Sequence, residues 1–399
     1  MILQENKGIP IKMVVMLSII AGFMVANIYY NQPLLEVIAK ELRVTSIESN
    51  LLAVFTQVGY AFGLLLIIPM GDLYNRRKLT LACIMMSLLM TAIMSVTYSI
   101  YIMWIASFFI GISSIVPQIF MPIAGQYSEP ENKSRNMGYI LTGLLVGILA
   151  SRVLGGLIGK EFGWRMIYEI NIIIMILCAF FIWKLFPNMK RNFTGNYVEL
   201  MCSVFHIFKT HPRIRLNSIR AGLAFGSMLS IWSCMAFHLS GAPFYAGSDM
   251  VGMLGLCGVA GAVASMNIGK YVSRLGIRRF SLIGASLQVI AWLIAFLFCR
   301  TYEGLIFAVV LVDIGLQCQQ LSNQSGCIEE LPSAASRVNT IFMTTYFVCG
   351  AMGTFVSSLG WNLFGWAGVC MVGAFFACGS IFISLRDKNS CLRKITNEV

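Results

Sequence analysis

The sequence predicts an all-α membrane protein, twelve transmembrane helices arranged as two six-helix pseudo-symmetric bundles. Three observations predict it. Of the 399 residues 58% are hydrophobic and 12% charged, too apolar for a water-exposed surface of that size. Twelve apolar runs are each long enough to cross a hydrocarbon core about 30 Å thick. The second half of the chain repeats features of the first at an offset near 200 residues.

The runs fall at 13–35, 49–70, 79–98, 101–124, 138–159, 165–186, 216–241, 248–271, 280–299, 303–326, 338–359 and 362–385. The first follows Lys7 and Lys12 as a signal peptide would, yet it continues into Tyr29, Tyr30 and Asn31 without a small-residue cleavage site. It is expected to stay as the first helix.

The net charge of +12 raises the question of nucleic acid, which the placement of the basic residues answers. With the N-terminus inside, 23 of the 29 Lys and Arg lie on the cytoplasmic side, 5 on the other, and Arg152 within a span. That is the positive-inside asymmetry, and no nucleic-acid partner is needed. It puts both termini in the cytoplasm. Nine of the 12 cysteines, among them Cys83, Cys178, Cys318 and Cys370, sit inside spans without a CxxC pair, as reduced packing residues do. His206, His211 and His238 are too scattered for a metal site, and no cofactor is implied.

The repeat is specific. Gly71-Asp72-Leu73-Tyr74-Asn75-Arg76-Arg77-Lys78 after the second span has a counterpart from Gly269 through Arg274 to Arg279 after the eighth. Pro130, Ser134 and Arg135 recur as Pro332, Ser336 and Arg337, and Phe162-Gly163-Trp164 recurs as Phe364-Gly365-Trp366. Small residues at every fourth position, Gly143, Gly147, Ser151, Gly155 and Gly159, flatten one face of the fifth span; Thr345, Cys349, Gly353 and Ser357 do so in the eleventh. In lipid, close backbone approach along such faces holds helices together. Residues 1–186 and 213–399 are expected to form the two bundles, joined by a basic linker, 187–212, whose segment Tyr197 to Phe208 is amphipathic enough to lie on the inner membrane surface.

With these motifs in place, the chain resembles the major facilitator superfamily, of the twelve-helix drug and proton antiporter type, over essentially its whole length. Gly71 to Lys78 matches the family's loop signature, with Asn75 where Asp is common. Gly147, Gly155 and Gly156 fit the exporters' Gly-rich motif in the fifth span, while Ser151 and Arg152 replace its Gly-Pro step. The run Asn27 to Leu35, together with Arg152, is similar to a bacterial subgroup that includes sugar and purine-nucleoside exporters. The resemblance implies a major facilitator fold and alternating access. It also implies that Gly71, Asp72, Arg76, Arg77, Gly269 and Arg274 act as a conformational latch.

Arg152 is the foremost site candidate, because an arginine near the middle of a span costs about 2.5–3.5 kcal/mol or more unless protein or water receives it. It contacts an anion or hydroxyl, serves a gate, or bonds carbonyls between the halves. Asp313, central in the tenth span, is the proton-coupling candidate, and Gln317, Gln320 and Gln324 share its helical face. Arg152 and Asp313 are expected to approach one another in one state. Tyr30 and Asn31 are predicted substrate contacts, joined by Gln57, Gln118, Trp232 and Asn339, with Tyr60, Ser114 and Tyr346 of the same kind. No GxxxxGK[ST] run supplies ATP, and the spans lack convergent catalytic groups, so an enzyme is not expected.

The expected function is secondary active transport across the bacterial inner membrane: proton-coupled export of a small organic solute by a monomer whose other partners are membrane lipids. Solute uptake, or a sensor with the same fold, is the alternative.

Overall fold

A computed structural model describes residues 7–187, 196–259 and 275–387, leaving out the side chains of Asp72 and Ser134. The described residues form helices and no strand. Ten of the helices are long and apolar enough to cross a membrane. One of these, Ala335–Arg386, breaks at Gly365 and so supplies the eleventh and twelfth spans. The eighth begins at Ser248–Leu254 and runs into residues outside the description.

Helix ends are placed by residues that satisfy free backbone groups. Thr45 starts the second span, Ser46–Leu73, with a reciprocal capping box: Thr45 Oγ1 accepts from Glu48 N at 3.2 Å, and the Glu48 carboxylate accepts from Thr45 N at 2.8 Å. The Asn75 side chain accepts from Arg77 N at 2.9 Å and opens the third span, Arg76–Val96. Thr301 does the same for the tenth span, Tyr302–Glu330, through Gly304 N at 3.3 Å. Between the fifth and sixth spans, Lys133–Phe162 and Trp164–Leu185, the turn needs φ 84° at Gly163; its repeat partner Gly365 has φ 58° between the eleventh and twelfth. Only glycine takes such angles without cost.

The first span, Ile11–Leu42, is helical to Tyr29, turns through a 3-10 segment at Gln32–Leu34 and resumes at Leu35–Leu42. Pro33 lies inside that segment, where a ring without an N–H disturbs a regular helix. The fourth span, Ile100–Tyr127, is likewise split, into Ile100–Ser113 and Val116–Tyr127.

The chain divides into two compact units, Met1–Ser203 with Ala246–Gly255, and Val204–Tyr245 with Leu256–Val399. In the first unit the fifth span lies flat on the first. A Cβ at Gly147 would stand 2.6 Å from Gly22 Cα, and one at Gly155 would stand 3.1 Å from Tyr30 O. The start of the eighth span belongs here because Gly156 and Gly252 let it approach: Ser248 Oγ donates to Gly156 O at 2.8 Å, and Lys160 pairs with Asp249 at 2.8 Å. In the second unit the seventh span, Pro212–Ser240, meets the eleventh in the same manner. A Cβ at Gly353 would stand 2.6 Å from Gly226 Cα, and Ser233 and Ser357 share a hydrogen bond of 2.8 Å.

Outward faces keep bulky apolar groups exposed, among them Phe180, Trp183, Leu293, Phe307 and Phe375, as lipid contact requires. The linker helix Tyr197–Thr210 buries Leu200, Val204 and Ile207 and exposes Val198 and Phe205. Tyr197 Oη donates to Leu66 O at 2.9 Å, and partial burial pushes that hydroxyl's pKa up from its usual value. Arg215 caps the other end of this helix, donating to Lys209 O at 2.8 Å.

Candidate functional site

Arg152 is 4% exposed. Its Nε donates to Gln32 Oε1 at 2.9 Å, and its guanidinium stands 5.2 Å from the centre of the Tyr29 ring. Glycine makes room for the stem: a Cβ at Gly255 would lie 2.9 Å from Arg152 Cβ and 3.2 Å from its Cδ. Tyr29 lies within electrostatic range of Tyr60, whose hydroxyl is hydrogen-bonded with Gln118. Gln57, one turn before Tyr60, is 2% exposed, so the first, second, fourth and fifth spans each bring polar groups to this part of the first unit.

Of the polar run in the first span, Tyr29 and Gln32 meet Arg152. Tyr30 and Asn31, singled out from sequence, lie buried at 4% and 3% exposure on another side of the helix, with Tyr30 close to Cys178 of the sixth span. The signal that separates these neighbours is the packing stripe. Ser18, Gly22, the Tyr30 backbone and Pro33 meet the small residues of the fifth span, and the side chains of Tyr29 and Gln32 meet Arg152 on the same span.

In the second unit Asp313 is 7% exposed. Along its face Gln317 is half-buried, Gln320 Oε1 accepts from Tyr346 Oη at 3.0 Å, and Gln324 Nε2 donates to Asn339 Oδ1 at 2.8 Å. Tyr346 stacks on Phe225 of the seventh span with centroids 4.0 Å apart, and Trp232 is 1% exposed on that span. A separate face of the tenth span carries a network missed in the sequence. Gln319 Nε2 donates to Gln288 Oε1 at 3.0 Å and its Oε1 accepts from Ser380, Gln288 Nε2 donates to Ala224 O at 3.0 Å, and Asn323 Nδ2 donates to Ser281 Oγ at 2.9 Å. Gln319 and Asn323 are one turn apart, and that spacing is the signal that would have found this seam.

The loop cluster is built into the structure. Arg76 is 6% exposed, with Nε donating to Gly71 O and Nη1 to Gln126 Oε1, both at 3.1 Å. Arg77 donates to Trp183 O at the end of the sixth span. In the second unit Arg278 donates to Ser384 O at 2.9 Å and Leu385 O at 3.2 Å, at the end of the twelfth. Arginine thus caps corresponding C-terminal carbonyls in both halves, where a cation also suits the helix dipole. Gly269 and Arg274 lie outside the described residues, as does the side chain of Asp72.

A profile described as Major Facilitator Superfamily matches residues 16–354. The chain belongs to the Major Facilitator Superfamily. It is 31% identical over 380 residues, 95% of this chain and 96% of that protein, to an Escherichia coli O157:H7 protein described as an uncharacterized transporter, YgaY. It is 24% identical over 277 residues to the inner membrane transport protein YnfM of Escherichia coli K12, covering 68% of this chain and 66% of that one. Among solved structures the nucleoside transporter NupG aligns with a TM-score of 0.70 at 15% identity, over 94% of this chain and 98% of that one. A bacterial homolog of the human lysosomal transporter Spinster, in an inward-facing and occupied conformation, aligns with a TM-score of 0.74 at 15% identity, over 96% and 97%. These likenesses carry the fold. As a Major Facilitator Superfamily member the chain is a multi-pass membrane transporter of small molecules and not an enzyme.

Proposed function

We propose that this transporter exports a small organic solute across the bacterial inner membrane by alternating access, driven by protons, with Asp313 as the coupling carboxylate. The observation that carries the reading is Asp313 itself: a carboxyl 7% exposed in the middle of an apolar span, at the head of a face of three glutamines. An ionisable group so placed is costly unless it titrates, pairs or meets water. Arg152 and Gln32, with Tyr29 and Tyr60 beside them, offer fixed donors and aromatic faces to a polar organic molecule. The excess of basic residues on one side supports cytoplasmic termini, and the protein acts as a monomer in this account.

The test is a pH-sensitive dye sealed in vesicles that contain the protein, with sugars, nucleosides and lipophilic cations added in turn. Export by antiport predicts solute-driven proton movement that Asp313→Asn abolishes; solute flux without proton movement in the wild type would remove Asp313 from the mechanism. Uptake of a sugar or nucleoside is the second reading, favoured by Ser151-Arg152 standing where exporters carry Gly-Pro. Cells lacking the protein take up less solute under that reading and retain more under export.

A further inference from the structure

At the end of the seventh span the second unit sets a half-buried imidazole among aromatic rings. His238 Nε2 donates to Cys299 O at 2.8 Å, just past the end of the ninth span, Ile277–Leu297. Its ring stacks on Trp366 with centroids 4.0 Å apart and planes 16° from parallel, and it meets Phe244 and Trp361 edge-on at 5.7 and 6.3 Å. Trp366 Nε1 in turn donates to Ala295 O at 2.9 Å. One side chain thus joins the ends of the seventh and ninth spans to the turn between the eleventh and twelfth.

A carbonyl oxygen only accepts, so Nε2 carries the proton of the neutral ring and Nδ1 the lone pair. A second proton lands on Nδ1, which meets no acceptor among the described residues. The elements around the ring carry Tyr245, Cys299, Arg300, Tyr302 and Glu303. Arg300, Glu303 and Tyr245 are exposed, and Tyr302 packs on Phe244 with centroids 4.7 Å apart. What acts on the imidazole is its burial and the Cys299 carbonyl, with no charged group among the influences. The first half supplies the contrast. Trp164, the repeat partner of Trp366, holds the Arg165 guanidinium 4.1 Å from its ring centre, and Glu41 both pairs with that arginine and accepts from Trp164 Nε1 at 2.7 Å. There a permanent cation lies on the tryptophan with its carboxylate beside it. At Trp366 the cation is conditional and the carboxylate is missing, so a charged ring in the stack is costly where water would serve it better.

We propose that His238 is an acid-released lock: neutral, it ties Trp366 to Cys299, and protonated, it leaves the stack for water and frees the end of the seventh span. In the orientation proposed above that end faces the outside, so the lock answers to outer pH. Because the stacked form excludes the added proton, the lock holds above about pH 6.5, the ordinary imidazole value. Each pH unit below that shifts it up to about tenfold toward release.

The purified full-length protein is taken from about pH 7.5 to about pH 5.5 in detergent while tryptophan emission and thermal unfolding are recorded. His238→Gln, which keeps a donor for Cys299 O, and His238→Phe, which keeps the stack, are measured in parallel; neither titrates. The wild type should shift its emission to the red as Trp366 meets water, and its unfolding temperature should fall by about 2 °C or more beyond the fall in the His238 variants. Trp366→Phe should show less of the red shift. Neither readout depends on the solute, on membrane orientation or on Asp313. Quenching without a red shift would mean that the imidazolium stays on the ring, and would overturn the proposal. So would a wild-type response equal to that of the His238 variants, or a red shift undiminished in Trp366→Phe.

Discussion

Gly147→Ala adds one methyl group where the first and fifth spans touch. Its carbon would stand 2.6 Å from Gly22 Cα and 2.7 Å from Gly22 C, against an ordinary carbon contact of about 3.5–4.0 Å. Every atom it meets there is backbone, so no rotamer change relieves the clash, and the helices must part by about 1 Å to restore that spacing. Parting loosens the neighbouring contact of Gly143 with Ser18 as well. Overpacking of this kind costs about 1–3 kcal/mol, and the better helix propensity of alanine offsets about 1 kcal/mol at most. Gly138→Ala on the same helix is the internal control, since nothing lies within 4 Å of its Cβ position; it should be neutral or stabilising by up to about 1 kcal/mol. The assay is thermal unfolding of both purified variants in one detergent, with the folded yield from membranes alongside. Gly147→Ala should unfold earlier than wild type and Gly138→Ala should not. Indistinguishable variants would show that the small-residue face does not set the spacing of these spans.

Gln32→Leu removes the acceptor of Arg152 Nε, a charge-assisted bond worth about 1.5–3 kcal/mol, and should lower solute transport in reconstituted vesicles more than it lowers folded yield. Arg152→Lys keeps the charge but loses the flat guanidinium over Tyr29, and transport should fall for it too; unchanged flux in both would take Arg152 out of the solute site. Arg220 is fully buried, with its Nη2 2.8 Å from Asp387, so Asp387→Asn should destabilise by about 3–5 kcal/mol, less when combined with Arg220→Met; chemical or thermal unfolding of the single and double variants checks this. Asn75→Ala removes the cap of the third span and should cost about 1 kcal/mol in the same measurement.

The fold class was legible because lipid imposes it: long apolar runs must become helices when no water can satisfy their backbone. The repeat showed where the turns would be alike. Gly163 and Gly365 share a left-handed turn because Phe-Gly-Trp occurs in both halves, and Arg77 and Arg278 both cap the ends of spans. The stripe of Gly143 and Gly147 pointed to close packing without naming its partner, which the small residues Ser18 and Gly22 supply in the first span.

Helix phase was harder to read. A run such as Asn27 to Gln32 places polar groups all round the helix, and composition alone does not say which of them face the fifth span and which the sixth; Tyr29 and Gln32 meet Arg152, while Asn27 faces Ser87 and Met175. Buried networks among Gln288, Gln319 and Ser380 were hidden because glutamine and serine are ordinary in spans, and their meaning depends on contacts 31 and 61 residues apart that join three different helices. Asp313 stood out because no other acidic residue falls near the middle of a span in the sequence.

Solute-driven proton movement in sealed vesicles, wild type against Asp313→Asn, tests the central claim most directly. One solute class should move protons in the wild type, and the variant should move none. Proton movement that persists undiminished in Asp313→Asn would contradict it.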